Sequence, residues 1–415
     1  MSGPNLKGMA WRNIWRNRRR TVITLVSIAF GTFLAVVFTG MGDHSWTKMI
    51  DLAARMGGGH VTLQHPEYLD KPSFARTVKG VQAKARRAAD EPEVHRTAAR
   101  IVGAMMLATA RESSGAVFVA FDPAAEDADS LAVYDEVVQG TMLGSSSDRG
   151  IVLGVKLAQN LGVVLGKKVV YTLTSKSGEI VSGMARVSGI LETGAPSVDA
   201  GLCLLPIDTV REILGYTDDE ATQVALFLGD NRDSEDVARR LGVELEPEIA
   251  VRTWSEVQAE LAGFIAMKVS GTEMFELILL VLVAAGIFNT LFVSVMERLR
   301  EFGIMMAIGF SPGTLFRLVM WESLWLGLMG LVAAVLLTAG PYYYFNVHGI
   351  DMTAMVSKGG AEVAGVAVDP MMRVAIFPEH AVMIAAAVLL TTLVSGLYPA
   401  WRAGRVEPVE TIRLV

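Results

Sequence analysis

The sequence predicts an integral membrane α-helical protein. We expect four transmembrane helices, with a large mixed α/β periplasmic domain inserted between helices 1 and 2. Charged residues make up only 19% of the 415 residues, against roughly 25% in a soluble domain. Uncharged residues are concentrated in four long stretches, whereas the region between the first two stretches carries many charges. These two observations indicate membrane segments joined to a water-exposed domain.

The four stretches are long enough to cross a bilayer, which needs about 20 residues at about 1.5 Å rise per residue. Buried helices of a soluble protein usually give shorter runs, of about 10–14 residues. The stretches cover residues 21–42, 277–296, 381–401 and, with Glu322 and His348 as the exceptions, 318–350.

Basic residues flank three of these stretches on one side, which predicts the orientation of the chain. Short flanks rich in Arg and Lys remain in the cytoplasm, so both termini and the segment after the second span are predicted to be cytoplasmic. The basic residues are Lys7, Arg12, Arg16, Arg18, Arg19 and Arg20 before the first span, Arg298 and Arg300 after the second, and Arg402, Arg405 and Arg413 after the fourth.

The first stretch is longer than the h-region of a signal peptide, and no A-x-A-like site follows it, so we interpret it as an uncleaved anchor. The predicted order of segments is a cytoplasmic interfacial helix (1–20), transmembrane helix 1 (21–42), the periplasmic domain (43–271), transmembrane helix 2 (272–296), a cytoplasmic coupling helix (297–312), transmembrane helix 3 (313–345), a periplasmic loop (346–378), transmembrane helix 4 (379–401) and a cytoplasmic tail (402–415).

The N-terminal segment has two helical faces that suit a membrane surface. Basic residues at i, i+4, i+7 and i+8 share one face, and aromatic and aliphatic residues share another. Such a helix is predicted to lie along the inner leaflet, with Arg toward lipid phosphates and Trp among the headgroups. The basic face comprises Arg12, Arg16, Arg19 and Arg20, and the other face comprises Trp11, Ile14 and Trp15.

The periplasmic domain is predicted to mix strands and helices. "HVTLQ" and "GAVFVAFD" are strand-like, and "KKVVYTLTSKSGEIVSGMARVSGI" is two alternating runs around a turn, which indicates a hairpin. "GVKLAQNLG", "PIDTVREILG" and "SEDVARRLG" are predicted helices, the last beginning at Ser234 and ending at Gly242. "SEVQ", Ser255 to Gln258, has capping-box spacing. It is predicted to open a helix that continues through Met267 as a stiff rod into the second span.

The chain shows no arrangement of residues typical of an enzyme. "LGVVLGKK" has the wrong spacing for a P-loop, and its Lys168 stands where Ser or Thr holds magnesium. The six histidines are scattered, and the nearest pair, His60 and His65, points to opposite faces of a strand. Cys203 lies in an apolar run that indicates a buried thiol. We therefore expect no catalytic residue, no metal site and no nucleic-acid partner.

Ionisable residues within the predicted spans are equally sparse. Only Glu322 lies inside one, near its cytoplasmic end, whereas carriers of polar solutes usually place several ionisable residues within the membrane. The sequence therefore predicts substrates that are lipidic or that never cross.

The segment between the second and third spans predicts a short amphipathic helix over residues 296–308. Its apolar stripe has i, i+3 and i+7 spacing and comprises Leu299, Phe302 and Met306. The pairs Glu297–Arg300 and Arg298–Glu301 have the i, i+3 spacing that supports an exposed helix. Gly309 is the expected C-cap and Ser311-Pro312 the start of the next helix.

Nothing else in the chain is predicted to bury that stripe, which favours the groove of a partner protein. A helix lying on the membrane would instead favour Lys and Arg over these balanced charges.

"ERLREFGIMMAIGFS" and "YPAWRAGRVEPVETIR" resemble the coupling helix and the C-terminal ending of ABC transporter permease subunits of the FtsX/MacB/lipoprotein-releasing type. The order of one span, a large periplasmic domain and three further spans agrees. The resemblance implies that a separate cytoplasmic ATPase binds the coupling helix. The implied contacts are Glu297, Arg298, Leu299, Arg300, Glu301, Phe302, Gly303, Met306 and Gly309.

The resemblance also implies that two ATPases assemble with this chain and a second permease copy or paralogue. ATP and magnesium would bind the ATPases and not this chain. Closure of the ATPases would move the periplasmic domains, a mechanism called mechanotransmission.

"GGGHVTLQHPEY", "GIVLGVKLAQNLGVVLGKKV" and "VSGILETGAPSVDAGLCLLPIDTVREIL" look most like the lipoprotein-releasing branch of the bacterial inner membrane. In that branch, lipoproteins enter from the outer leaflet and pass to a periplasmic carrier. The resemblance places cargo entry near Trp46, Ile50, Thr272 and Phe275. The carrier-recruiting subunit of that branch has a long hook where this chain has only the short "TSKSGEIVSG", so the resemblance is to the hookless type or to a paralogue with other cargo. A MacB-like permease of a tripartite efflux system and an FtsX-like signalling scaffold are the alternatives.

Overall fold

A computed structural model of the chain describes residues 5–245, 248–353 and 361–405. The chain divides into two compact units. The membrane unit comprises Met1–Ser45, Met267–Asp351 and Met371–Val415, and the periplasmic unit comprises Trp46–Ala266 and Met352–Pro370. Arg413 and the second half of the C-terminal motif lie outside the described residues.

The helices, in chain order, are α1 (Leu6–Ile14), α2 (Arg18–Met56), α3 (Val81–Ala89), α4 (Val155–Asn160), α5 (Pro196–Gly201), α6 (Ile207–Leu214), α7 (Ser234–Glu244), α8 (Trp254–Val257), α9 (Ala259–Glu297), α10 (Leu299–Ala307), α11 (Pro312–His348) and α12 (Pro378–Gly404). A 3₁₀ turn, Trp15–Asn17, joins α1 to α2.

The strands are β1 (Val61–Gln64), β2 (Val78–Lys79), β3 (Val94–Ala108), β4 (Ser113–Phe121), β5 (Val137–Gly140), β6 (Gly150–Gly154), β7 (Lys168–Thr174), β8 (Ile180–Leu191), β9 (Leu202–Pro206), β10 (Glu220–Ala221), β11 (Gln223–Leu228), β12 (Ala250–Thr253), β13 (Ile350–Asp351), β14 (Glu362–Val363), β15 (Val366–Ala367) and β16 (Met371–Met372).

Four helical stretches of the described chain are long and apolar enough to cross a membrane, as predicted. They contain α2, α9, α11 and α12. Both α2 and α9 have 39 residues, which gives each a length of roughly 58 Å at 1.5 Å per residue. Because the hydrocarbon core is only about 30 Å thick, each of these helices continues beyond it. Helix α9 runs unbroken through Met267 as predicted, but it begins at Ala259. The helix that contains "SEVQ", α8, ends at Val257, so the predicted start of the rod is wrong.

Small residues let the membrane helices approach closely. A Cβ added at Gly31 of α2 would lie 2.6 Å from Val283 of α9, and one at Gly330 of α11 would lie 2.6 Å from Ile28 of α2. Thr24 also donates a hydrogen bond to Thr290, at 3.0 Å. In a bilayer, apolar side chains gain little free energy when they move from lipid into a helix–helix contact. Close packing and interhelical hydrogen bonds therefore stabilise these helix pairs.

A ten-stranded mixed sheet forms the centre of the periplasmic unit. Its order is β12-β1-β11-β3-β4-β9-β6-β8-β5, and β7 pairs with β3 and β8. The pairs β4–β9 and β6–β8 are parallel. The strands predicted from "HVTLQ" and "GAVFVAFD" correspond to β1 and β4, and the predicted hairpin corresponds to β7 and β8 with its turn at residues 175–179. The large mixed sheet domain is therefore confirmed.

Two predicted helix boundaries are wrong. Ser234 is the first residue of α7 and Asp233 its N-cap, and the helix continues past Gly242 to Glu244. The capping box near "SEVQ" lies two residues earlier than predicted. Thr253 is its N-cap, and the Thr253 backbone N–H donates to Glu256 at 3.0 Å.

Candidate functional site

The segment between α9 and α11, predicted to be cytoplasmic, is a separate short helix, α10. Helix α9 ends at Glu297, and Arg298 (φ −106°, ψ 10°) interrupts the helical backbone before α10 begins. At the other end, Gly309 has a φ of +103°, a left-handed conformation that favours glycine. Pro312 then occupies the first turn of α11. The predicted break between the two helices is confirmed.

The apolar stripe of α10 is buried within this chain, so the prediction of an unburied stripe is wrong. Phe302 is 0% exposed, and Leu299 and Met306 pack in the same cluster. The cluster also contains side chains of α1, α11 and α12, namely Ala10, Leu315, Leu318, Val319, Ala400 and Ala403. No additional domain is needed to bury this stripe, because short stretches of α1, α11 and α12 already cover it.

A buried ion pair fastens α10 to α11. The Nη1 atom of Arg298 donates to both carboxylate oxygens of Glu322, at 2.9 and 3.2 Å, and the two side chains are only 5% and 6% exposed. Asn13 of α1 donates to the same carboxylate at 2.7 Å. Glu322, the one ionisable residue predicted within a span, therefore neutralises Arg298. A buried charge requires this kind of partner.

A second layer of ion pairs surrounds this one. Arg16 binds Glu301 at 2.7 Å, and Arg298 binds the same carboxylate at 3.3 Å. The hydrogen bond from Arg16 holds the pKa of Glu301 below its ordinary range. We name the group Asn13, Arg16, Arg298, Glu301 and Glu322 the clasp. It joins α10 to α11 and to the N-terminal segment.

The clasp changes the interpretation of two sequence patterns. Glu297 binds Arg20 at 2.6 Å and not Arg300, so only Arg298–Glu301 of the two predicted i, i+3 pairs is formed. Arg16 and Arg20 are bound to carboxylates of this chain, whereas the sequence predicted lipid phosphates as their partners. Sequence spacing identifies neighbours along one helix, and these acidic partners come from elsewhere in the chain.

The remaining residues predicted at the membrane surface stay exposed or pack at the edge of α11. Trp11 contacts Trp325 edge-to-face, with 5.2 Å between ring centroids, and Trp15 packs against Trp11. Arg12 donates to the Gly8 carbonyl oxygen of its own helix at 3.4 Å, and Arg19 is exposed. Their contact with lipid stays a prediction.

The outward face of α10 differs from the predicted one. Arg300, Ile304 and Ile308 are exposed at i, i+4 and i+8, and Ile304 and Ile308 are 48% and 72% exposed. We name these three residues the outer face. Neither isoleucine was predicted as a site residue. The signal was available in their spacing, which becomes informative once Phe302 is known to point inward.

The residues predicted at cargo entry lie in different surroundings. In the periplasmic unit, Trp46 contacts Phe264 edge-to-face with 6.2 Å between centroids, and Ile50 is buried in the same cluster. In the membrane unit, Thr272 donates to the Lys268 carbonyl oxygen at 3.2 Å, and Phe275 is partly exposed. The roles of all four stay predictions.

A cavity of about 250 Å³ lies between α2, α9 and α12 in the membrane unit. Apolar side chains form most of its wall, and two carboxylates, Glu273 and Glu276, also line it. Thr39 hydrogen-bonds Glu276. Glu322 is therefore not alone among carboxylates in the long helices. The sequence interpretation considered only the uncharged run from residue 277 and so missed these two carboxylates, although the predicted transmembrane helix 2 (272–296) contains both.

The described residues contain no group of three or more His, Cys, Asp or Glu arranged to hold a metal ion. Burial raises the pKa of the Cys203 thiol far above its ordinary value, so the thiolate is disfavoured there. The absence of a metal and of a catalytic residue stays a prediction.

Two protein families match this sequence, and together they cover most of it. Residues 21–242 match the family described as MacB-like periplasmic core domain. Residues 274–408 match the FtsX-like permease C-terminal family. Residues 243–273 lie between the two matches, and the second match begins within α9.

Among curated proteins, the chain is similar to two lipoprotein-releasing system transmembrane proteins named LolC. The protein of Xylella fastidiosa (strain 9a5c) is 29% identical over 278 residues, which cover 63% of this chain and 64% of that protein. The match therefore spans less than two thirds of that relative's length. The protein of Neisseria meningitidis serogroup B is 25% identical, over 96% of this chain and 95% of that protein.

Among solved structures, the periplasmic region of MacB from Actinobacillus actinomycetemcomitans aligns with a TM-score of 0.35 and 13% identity. The alignment covers 51% of this chain and 96% of that structure.

Proposed function

This chain belongs to the FtsX-like permeases that carry a MacB-like periplasmic core domain, and from that premise we propose that it is the membrane subunit of an ABC transporter that releases lipoproteins. A separate cytoplasmic ATPase supplies the energy by hydrolysing ATP with magnesium. The cargo leaves the outer leaflet of the bacterial inner membrane. Both termini are cytoplasmic in this proposal.

The observation that carries the proposal is the placement of α10. It is a short helix between two candidate spans, its inner side is fixed to the rest of the membrane unit, and its outer face is free in the described structure. An exposed apolar pair beside an Arg suits a groove on a partner protein. We propose that the ATPase binds Arg300, Ile304 and Ile308.

The ends of both long rods are firmly held in the periplasmic unit, which supports transmission of movement. Arg100 donates to the carbonyl oxygens of Arg55 and Gly57, at 3.3 and 2.5 Å, where α2 ends. Gln258 donates to the Ala53 carbonyl oxygen at 2.9 Å, just before α9 begins. A displacement of either rod would therefore be passed to the sheet, whereas a Gly/Ser linker would absorb it.

The cavity between α2, α9 and α12 supports a lipidic cargo. Its apolar wall suits an acyl chain, and its carboxylates disfavour an anionic headgroup. The similarity to lipoprotein-releasing proteins supports the same cargo. A second copy of this chain or a paralogue would complete the membrane part, with two ATPases beneath.

Depletion of the chain tests the proposed cargo. We expect lipoproteins to accumulate in the inner membrane of depleted cells. A photoreactive amino acid at Thr272 or Phe275 should crosslink to lipoproteins, whereas the same group at Val243, on exposed α7, should not. Normal lipoprotein sorting together with crosslinks only to soluble proteins would contradict the proposal.

The short β7–β8 turn favours one alternative. Only residues 175–179 separate the two strands, so the hairpin offers no long hook for a carrier, and a MacB-like exporter that uses an adaptor remains a second candidate. Drug or peptide sensitivity on deletion, with lipoproteins sorted normally, would favour it. A defect in cell-wall hydrolysis alone would favour an FtsX-like scaffold.

A further inference from the structure

The two ends of α10 are connected to their neighbouring long helices in different ways. At the α9 end, the helical backbone is interrupted at Arg298, whose dihedral angles leave the helical region. At the α11 end, four residues, 308–311, separate the helices. Backbone continuity alone therefore ties α10 rigidly to neither helix.

Side chains supply a rigid connection to α11. Arg298 reaches 24 residues along the chain to Glu322, nearly three turns inside α11, and both groups are almost fully buried. Phe302 packs in the same cluster as Leu315, Leu318 and Val319. A buried, hydrogen-bonded charge pair has strong geometric preferences, because any displacement leaves two charges unpaired away from water.

The N-terminal segment completes this connection. Asn13 hydrogen-bonds the Glu322 carboxylate, and Arg16 binds Glu301. The clasp therefore spans three elements that lie far apart in the sequence.

We propose that Arg298 and Glu322 are positioning residues that make α10 and α11 move as one body. A force on the outer face then reaches the third span directly, while the interruption at Arg298 lets α9 change its angle to α10. Asn13 and Arg16 couple the N-terminal segment to the same movement. This inference rests on the proposed function, in which an ATPase pushes on α10.

The test uses the full chain with its ATPase in proteoliposomes that contain a fluorescent lipoprotein. The measured quantity is lipoprotein released per ATP hydrolysed, a ratio that is independent of how much complex folds. We expect Glu322→Ala to lower this ratio about ten-fold, the effect of roughly 1.4 kcal/mol. The ATPase should still co-purify, because the outer face is unchanged.

A charge-swapped variant separates positioning from simple stability. Arg298→Glu combined with Glu322→Arg restores an opposite-charge pair, and we expect the ratio to recover most of its loss. Thr24→Val is the matched control, since it removes a hydrogen bond between α2 and α9 and should leave the ratio unchanged. A lower yield of Glu322→Ala complex with an unchanged ratio would overturn the proposal.

A readout without cargo distinguishes failure of this inference from failure of the proposed function. Cys203 is buried, so a fluorophore can be attached selectively to Tyr343→Cys at the exposed far end of α11. ATP should change the fluorescence of this label when Tyr343→Cys is the only substitution. ATP should leave it unchanged when Glu322→Ala is also present. If the chain with Tyr343→Cys alone shows the fluorescence change but releases no lipoprotein, that result would contradict the proposed function and leave the proposal about the clasp intact. A change that persists with Glu322→Ala would contradict the clasp.

Discussion

The periplasmic and membrane units each contain a buried arginine–glutamate pair, and the two pairs are built differently. Arg100 binds Glu126 in the periplasmic unit and also donates to the carbonyl oxygens of Arg55, Gly57 and Ser130. Arg298 binds side chains, those of Glu322 and Glu301. Backbone acceptors are fixed by the fold, whereas side-chain acceptors on separate helices can shift together with those helices.

The two sets of partners indicate different roles for the two pairs. Arg100 holds the end of α2 against the sheet, and three of its acceptors are backbone oxygens whose positions the fold fixes. Arg298 connects helices of the membrane unit, and its outer partner Glu301 is 41% exposed. The first pair is a structural anchor, and the second joins parts that we propose to move.

The largest expected effect comes from breaking the anchor. Arg100→Met would leave Glu126 buried without its partner and would remove one donor from each of three carbonyl oxygens. Removing one member of a buried ion pair typically costs about 3–5 kcal/mol. We expect a clear fall in the melting temperature of the purified full chain, measured by the fluorescence of its tryptophans.

Arg111→Met is the control for this measurement, because Arg111 is exposed in the turn between β3 and β4. Its melting temperature should match that of the parent chain. Equal stability of the Arg100 and Arg111 variants would show that the anchor interpretation is wrong.

Truncation of a core side chain tests how α10 is packed in the membrane unit. Phe302→Ala would leave a cavity among α1, α10 and α11, and such Phe truncations typically cost about 3–5 kcal/mol, at the lower end where neighbours can collapse. We expect faster proteolysis of the α10 segment in detergent. Ile304 lies about half a turn from Phe302, on the exposed side of α10. Ile304→Ala should leave the cleavage rate unchanged.

The outer face should respond to charge without loss of stability. Ile304→Asp would place a carboxylate in the proposed apolar groove of the ATPase, where an unpaired polar group costs roughly 1–3 kcal/mol. We expect at least about ten-fold weaker binding of the ATPase with unchanged melting temperature. Glu260→Gln, on an exposed position of α9, is a neutral comparison. Unchanged ATPase affinity would contradict docking at this face.

Local patterns in the sequence predicted the spans and several periplasmic elements, because both depend on neighbours, but they did not predict β3, β6 or β11. Uncharged runs predicted α2, α9, α11 and α12, and alternation around "SKSG" predicted β7 and β8. The burial of Phe302 could not be predicted in this way. It depends on Ala10 and Leu318, which reach α10 only through the tertiary fold.

The clasp was missed for the same reason. The sequence singled out both Arg298 and Glu322, one as part of a motif and the other as an isolated charge in a span. The two residues are 24 positions apart, with the turn at Gly309 between them, and no periodicity connects residues across a turn. The sequence did not predict a role for Arg100, because a single Arg in a strand is common and the sequence does not show which backbone oxygens it binds.

The smallest expected effect comes from an exposed pair next to the anchor. Asp127 follows Glu126 directly and binds Arg96, with side-chain exposures of 48% and 35%. Exposed pairs of this kind contribute less than about 1 kcal/mol, so Asp127→Asn should barely change the melting temperature at neutral pH. Neighbouring carboxylates would thus differ greatly in importance because one is buried and the other is solvated.

The pH dependence of that small contribution has a definite sign. The hydrogen bond from Arg96 lowers the pKa of Asp127 below its ordinary value. The stability it contributes is therefore present above the ordinary carboxylate pKa of about 4 and is lost as the pH falls through the lowered pKa. Melting temperatures of the parent chain and Asp127→Asn should differ slightly at about pH 6, and this difference should shrink as the pH is lowered below the ordinary carboxylate pKa. A difference that grows on acidification would mean that the protonated form of Asp127 is the one stabilised by folding.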